Sequence, residues 1–317
     1  MTSFEILPGA DALEAEWWEL WHRDPAATPF QSPAWLLPWR RHFDQGESFV
    51  LAARDGGRLV ALLPLFWLKG RLLPWGAGTS DWLDGLFDPA FGASELSKGL
   101  SMLDAPLDLF QLPATSPLLR ARLPSGWQER LGPSECCVTT GLPVQIDPKL
   151  AANLRYYRRR AARAGARKPE ISRPASLDSL ADLHTRRWQD SDQPGVFADP
   201  RFLAWQAEAL PALEAAALAR VYQLRIDGRI AAALYVLTAK ECAYYYIGGF
   251  DPAHASLGLG TVLLGHAIRE AEREGMRTFD FLRGRERYKY RWGGTDCPTF
   301  ARYLAPARHG WSREAAE

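Results

Sequence analysis

The stretch Tyr244–Lys289 constrains the fold more than any other part of this chain. Aromatic and apolar residues from Tyr244 to Phe250 predict a strand, and Asp251–Gly260 predicts a glycine-bearing loop. An amphipathic helix follows over Leu259–Glu274, with Gly275 as the residue that ends it. Met276–Leu282 predicts a second strand, leading into the charged aromatic segment Arg283-Gly-Arg-Glu-Arg-Tyr-Lys-Tyr-Arg-Trp292. A strand that enters a helix through Ser256-Leu-Gly-Leu-Gly260 leaves the first N–H groups of that helix without internal acceptors. With the positive end of the helix dipole, those groups form a ready site for a phosphate.

A length of 317 residues is long for one domain and comfortable for two. The net charge of +1 gives no whole-protein field toward nucleic acid or acidic lipid, so any such preference must come from a local patch. Cys136, Cys137, Cys242 and Cys297 include no Cys-x-x-Cys pair, and the six histidines are scattered. No metal site is expected, and a reducing, cytoplasmic setting fits. Glu5, Asp11, Glu14 and Glu16 argue against a signal peptide, and no apolar run is long enough to span a bilayer. Trp17, Trp18, Trp21, Trp35 and Trp39 read as packing residues of amphipathic helices rather than as a ligand-stacking platform.

Along the first half, helices are expected over Ala10–Trp21 and Pro33–Phe43, the latter with Ser32 as N-cap. Two β-runs, Phe49–Arg54 and Arg58–Leu68, flank the hairpin signal Asp55-Gly56-Gly57, with Pro64 pointing to an edge or a bulge. The character changes near Leu150. Asn153–Lys168 carries Arg155, Arg158, Arg159, Arg160, Arg163, Arg167 and Lys168 with no acidic residue, on a helical pattern. Helices over Ser179–Arg187 and Pro200–Leu210 come next, then a meander turning at Asp227-Gly228 and Lys240-Glu241. The reading is an α/β protein of two units, 1–148 on the acceptor side and 149–317 on the donor side. Both repeat the order of helices, hairpin and αβ.

The second half resembles the GNAT-fold acyltransferases of the cellulose-biosynthesis (CelD-like) type and their Fem-type relatives, which carry two GNAT-like units in tandem. The resemblance rests on Leu154-Arg-Tyr-Tyr-Arg-Arg-Arg160, His184-Thr-Arg-Arg-Trp188 and Gly195-Val-Phe197. Further anchors are Gln223–Thr238, Tyr244-Tyr-Tyr-Ile-Gly-Gly-Phe250, Gly258 and Gly260, and Phe279-Asp-Phe-Leu-Arg-Gly284 leading to Tyr288-Lys289. It covers about residues 150–305 well and is looser before them, where Thr28-Pro-Phe-Gln-Ser-Pro33, Trp35 and Ser80-Asp81 are the best anchors. It implies tandem units, each a mixed, mostly antiparallel sheet flanked by helices, and an acyl-CoA donor, acetyl-CoA first. Ala255 departs from the pattern, standing where a polar residue of the phosphate loop belongs. Acyl-carrier protein and aminoacyl-tRNA therefore stay open as donors.

Acyl transfer needs a positioned donor, an acceptor for the nucleophile's proton and donors for the developing oxyanion. On this reading Ile247, Gly248, Gly249, Phe250, Gly258, Leu259, Gly260 and Thr261 hold the donor. Lys289, in the Tyr-Lys pair of the resembled family, is the first candidate for a catalytic charge. Asp81, His184 and Tyr246 are further catalytic candidates. Asp84, Trp188, Tyr244, Asp280, Arg283 and Tyr288 are candidates for substrate contacts. The basic segment Arg155–Lys168 offers a grip on CoA phosphates, on the acidic face of a carrier protein or on tRNA. The function expected is direct transfer of an acyl group to an amine or hydroxyl of a small molecule or sugar, in a ternary complex. Fem-type aminoacyl transfer and a non-catalytic glycan- or partner-binding module are the alternatives.

Overall fold

The computed structural model describes residues 2–44, 46–188 and 195–309 and, for Arg187 and Trp188, the backbone alone. Before residue 136 the strands are β1 (Ser3–Leu7), β2 (Ser48–Asp55), β3 (Arg58–Leu68), β4 (Arg71–Pro74), β5 (Leu86–Phe87), β6 (Leu107–Pro113) and β7 (Trp127–Pro133). The helices there are α1 (Glu14–Arg23), α2 (Pro33–Phe43), α3 (Leu96–Ser101) and α4 (Pro117–Arg120). Then come β8 (Cys137–Gly141), β9 (Glu170–Ile171), β10 (Ala219–Ile226), β11 (Arg229–Ala239), β12 (Cys242–Phe250), β13 (Thr278–Arg283) and β14 (Thr295–Cys297). Their helices are α5 (Pro148–Arg163), α6 (Asp178–Trp188), α7 (Pro200–Ala215), α8 (Leu259–Arg273) and α9 (Arg287–Arg291), and β15 (Thr299–Pro306) follows.

The chain divides into two compact units, Met1–Glu135 with Pro298–Glu317, and Cys136–Cys297. A single cut at 148/149 misses two features of this division. β8 belongs to the second sheet, and β15 returns to the first, pairing antiparallel with β6 on one side and β7 on the other. The first sheet runs β1-β2-β3-β4-β6-β15-β7, with β5 beside β3; the second runs β14-β8-β13-β12-β11-β10-β9. Both are mixed and mostly antiparallel, and helices flank them, as expected from the sequence.

Local chemistry explains the hairpins. Asp55 pairs with Arg58 across Gly56 and Gly57, both at positive φ (58° and 84°), as a two-residue turn between right-twisted strands requires. Pro64 sits in an interior strand, not at an edge. β5 pairs with β3 at Ala61–Leu62 and β4 only from Leu65 onward, so the residue without an N–H falls in the gap between them. Its carbonyl accepts from the Trp75 N–H at 3.0 Å. Trp17, Trp35 and Trp39 are fully buried, and two of their ring N–H groups are satisfied, Trp17 by the Gln31 carbonyl at 2.8 Å and Trp35 by Ser80 Oγ at 2.9 Å.

In the second unit, α5 and α8 pack on one face of the sheet through Leu150, Leu154, Leu259, Val262, Leu263 and Ile268, against Leu224, Leu234, Val236 and Phe279. The opposite face of β10–β12 meets α6 and α7. α8 ends where the sequence placed its stop, with Gly275 at φ 80°.

Candidate active site

Two neighbouring strands of the second sheet part company. β12 and β13 are parallel and pair only at Cys242–Thr278, Ala243–Phe279 and Tyr244–Asp280. Beyond Tyr244 the pairing of β12 with β13 ends, and the two strands no longer share a ladder. β12 also carries an irregularity here. Tyr235 pairs with Ile247 and Val236 with Tyr245, which leaves Tyr246 as the extra residue of a bulge.

The β13 side of the gap is built by Asp280 and Lys289. Leu282 adopts a left-handed conformation (φ 60°), which costs a non-glycine residue about 1–2 kcal/mol. The Asp280 carboxylate holds it there by accepting from the Leu282 N–H at 2.7 Å. The Lys289 side chain is 2% exposed, and its Nζ donates to the carbonyls of Leu282 (3.1 Å), Gly284 (3.0 Å) and Arg283. Glu286 lies 3.0 Å away as counter-ion. Three carbonyls converging on one ammonium fix the turn from β13 into α9.

Beside the half of β12 no longer paired with β13 lies a cavity of about 340 Å³. Its wall includes Gly248, Gly249 and Phe250 of β12, Ala255 and Gly258 of the following loop, and Leu259, Gly260 and Thr261 of the first turn of α8. Gly258 is left-handed (φ 62°), and a Cβ there would stand 2.6 Å from the Tyr157 ring, so glycine is required on both counts. This conformation turns the chain into α8 and aims the unpaired N–H groups of its first turn along the cavity wall. The interior is mostly apolar, with Leu150, Leu234, Leu263, Leu264 and Trp292, while Arg291 supplies its cation and Tyr245 and Tyr288 its phenols. The Tyr245 hydroxyl lies against Gly248, whose ideal Cβ would be 2.4 Å from it.

Seven of the eight residues expected to hold a donor therefore line one cavity, together with Tyr288. Ile247 is buried outside the lining, as is Lys289, whose ammonium is committed to the β13–α9 turn. Asp280 is buried and, like Lys289, positions backbone rather than facing the cavity. Arg283 stands at the β13 end, in register with Cys137. Tyr244 is buried, and burial raises its phenol well above the ordinary range. Tyr246 packs edge-on against Tyr235 with centroids 5.5 Å apart. His184 on α6 is buried, with its ring edge-on to Phe197 and its backbone N 3.0 Å from an ideal Cβ at Gly249. The side chain of Trp188 lies outside the described residues.

Asp81 and Asp84 belong to the first unit. Asp81 is buried between Ser80 and Trp82, whose carbonyl accepts from Gln31 Nε2 at 2.8 Å. Asp84 Oδ1 accepts from Ser116 Oγ at 2.7 Å and from the Gly85 N–H at 2.9 Å, and burial of the carboxyl pushes its pKa up to about 7. Sequence reasoning did not single out Tyr245, Arg291, Trp292 or the Leu150 wall. The aromatic tail containing Arg291 and Trp292 was visible, but which of its residues turn inward follows from α9 packing. Among the described residues no group of three or more His, Cys, Asp or Glu side chains is placed to hold a metal ion, and no helix is long and apolar enough to cross a membrane.

The strand-gap, the left-handed glycine and the helix N-terminus lie within a segment that a family model recognises. Residues 148–290 match the acetyltransferase (GNAT) domain. The match runs from α5 into α9 and takes in every lining residue of the cavity except Arg291 and Trp292. Among solved structures the chain is similar to the C-terminal domain (DUF2156) of a putative lysylphosphatidylglycerol synthetase from Agrobacterium fabrum, at 13% identity and TM-score 0.63, over 93% of this chain and 92% of that one. It is similar to FemX at 11% identity and TM-score 0.64, over 91% and 95%. It is also similar to a tandem GNAT protein from the clavulanic acid biosynthesis pathway, at 15% identity and TM-score 0.50, over 98% and 100%. At such identities the likeness is one of fold, two GNAT-like units in one chain. Comparison with curated proteins finds no match.

Proposed function

We propose that this chain, as a member of the CelD-like branch, moves an acyl group from a phosphopantetheine thioester to an amine or hydroxyl of a small molecule or sugar. Acyl-CoA is the simplest such donor. The observation that carries the reading is the cavity bounded by β11, the far half of β12, α9 and the N-terminus of α8. Its residues fit the donor part by part. The N–H groups of Leu259, Gly260 and Thr261 and the Arg291 guanidinium suit the phosphates. The stretch of β12 beyond its pairing with β13 suits the pantetheine amides, as a sheet edge accepts an added strand. The apolar wall of Leu234, Leu263 and Leu264 suits the methylene arm and a short acyl chain.

What the side chains then do is limited. Tyr245 and Tyr288 bring phenolic O–H groups to the lining and can protonate the departing sulfur. Among the described residues the lining contains no carboxylate or imidazole. The acceptor is therefore expected to arrive as a neutral amine, or to lose its proton outside the cavity. Lys289 and Asp280 act by holding the turn from β13 into α9, which carries the lining residues Tyr288 and Arg291. The chemistry supplied by the bound donor is an activated carbonyl, which the acceptor attacks directly.

Thermal unfolding with and without acetyl-CoA, longer acyl-CoAs and free CoA tests the reading. A ligand present at about 100 times its dissociation constant stabilises by about 2.7 kcal/mol, a clear shift in midpoint. No shift with any CoA ester would remove acyl-CoA as the donor.

A further inference from the structure

The outer face of α5 is the largest unused feature of the GNAT domain. Arg155, Arg159 and Arg163 recur at every fourth position and are exposed, and no carboxylate among the described residues pairs with them. Arg160 is exposed as well and reaches Ser256 Oγ at 3.3 Å. Ser256 lies between Ala255 and Gly258, two residues of the cavity rim, so the positive face runs up to the cavity entrance. Elsewhere in the chain arginines are commonly paired, as Arg54 is with Glu16 and Glu5, and Arg225 with Glu170. A row of unpaired arginines on one helix is therefore a local device, not a consequence of the net charge of +1.

We propose that α5 docks an acidic helix of an acyl-carrier protein, which delivers its phosphopantetheine arm past Ala255 into the cavity. The destination of the arm rests on the function proposed above; the docking face does not. Charge complementarity points to an anionic partner, and three observations point to a protein. The face is one helix of 16 residues, about 24 Å long, the scale of a single partner helix. Of the two aromatics beside it, Tyr157 packs on Gly258 and offers no stacking face, and Tyr156 is exposed but carries Arg160 over one face at 6.0 Å, so a stacking platform of two rings is absent. Among the described lining residues only Arg291 and the helix N-terminus are suited to an anion, and Ala255 adds no polar side chain. A donor held by a single phosphodiester gains the rest of its affinity from contacts outside, where α5 stands.

Two measurements test this. First, fluorescence anisotropy follows binding of the apo form of a fatty-acid-type acyl-carrier protein, which has no arm and so does not use the cavity. The wild type is expected to bind it, and R155E/R159E/R163E to bind about tenfold more weakly or worse, while R155K/R159K/R163K keeps most of the affinity. Binding should also weaken as salt is raised. Second, transfer is compared for the same acyl group on carrier protein and on CoA. Charge reversal is expected to lower kcat/KM for the carrier-bound donor by about tenfold while the CoA donor stays within about twofold. The proposal is overturned by absent carrier binding, by binding indifferent to charge reversal, by equal losses with both donors, or by a tRNA that binds through these arginines when the carrier does not. Failure of acetyl-CoA to stabilise the wild type would instead remove acyl-CoA from the cavity reading, leaving the anisotropy result to stand by itself.

Discussion

Replacing Lys289 with methionine keeps the length and most of the volume of the side chain while removing every donor. Three carbonyls, those of Leu282, Arg283 and Gly284, lose the ammonium on which they converge. The Leu282 contact is fully buried, and a buried carbonyl left without a donor costs about 1–3 kcal/mol. The other two are nearer solvent and recover part of the loss through water. Leu282 must also keep its left-handed backbone with less support. The sum is about 3–5 kcal/mol against the second unit, the range for removing one partner of a buried charged contact. For a unit of this size that lowers the unfolding midpoint by about 10 °C. Chemical denaturation followed by tryptophan fluorescence, with amide exchange of the β13–α9 turn, gives the number. Turnover is expected to fall by about tenfold or more because the cavity wall loses its anchor. Lys289→Arg should not restore it, since a planar guanidinium cannot point three donors at one cluster of carbonyls. A Lys289→Met protein with stability within about 1 kcal/mol of wild type but no turnover would refute the anchoring argument and return the lysine to the chemistry.

Gly258→Ala places a side chain at φ 62° and a Cβ 2.6 Å from the Tyr157 ring. It is expected to raise the KM for acyl-CoA by about tenfold, measured by steady-state kinetics with the acceptor saturating. Arg291→Ala, in the lining and making none of the carbonyl contacts of Lys289, should weaken CoA binding by about five- to tenfold in calorimetry with little change in the unfolding midpoint. The pair Tyr245→Phe and Tyr288→Phe together should lower kcat about tenfold or more, with donor KM nearly constant. Asp84 gives a pH signature in the first unit. Its folded pKa, pushed up to about 7 from 3.8, means that the folded state holds the proton more tightly. Its contribution is therefore complete at low pH and is lost as pH rises through about 7, by at most about 1.4 kcal/mol per pH unit. Unfolding midpoints should fall with this slope between about pH 4.5 and 7 and level off above it, and Asp84→Asn should flatten the profile.

Much of the site was legible because its signals are local. The Asp-Gly turns, the stop at Gly275 and the pair Gly258 and Gly260 before an amphipathic helix each depend on residues within a few positions, and all sit where their chemistry requires. The alternation that sends Tyr245 to the face opposite Tyr244 holds as well, and it carries Tyr245 into the cavity. Lys289 shows where such reasoning stops. A lysine among arginines and aromatics at the end of a strand reads equally as a catalytic charge or as a structural one. Its fate turns on whether the carbonyls of Leu282 to Gly284 curl toward it, which is a property of the left-handed turn at Leu282.

Sequence alone determined the class of fold, the order of strand, loop and helix around Gly258, and the chemical suitability of that turn for a phosphate. Backbone dihedral preference and hydrophobic period are set by near neighbours, so they can be read one segment at a time. Tertiary structure alone decided that β15 crosses back to sit between β6 and β7, that β12 and β13 separate after three pairs, and that Arg291 and Trp292 turn inward while Lys289 closes a turn. Those outcomes depend on register and packing between residues far apart in the chain, where many partners satisfy the same local pattern and only the assembled sheet selects one.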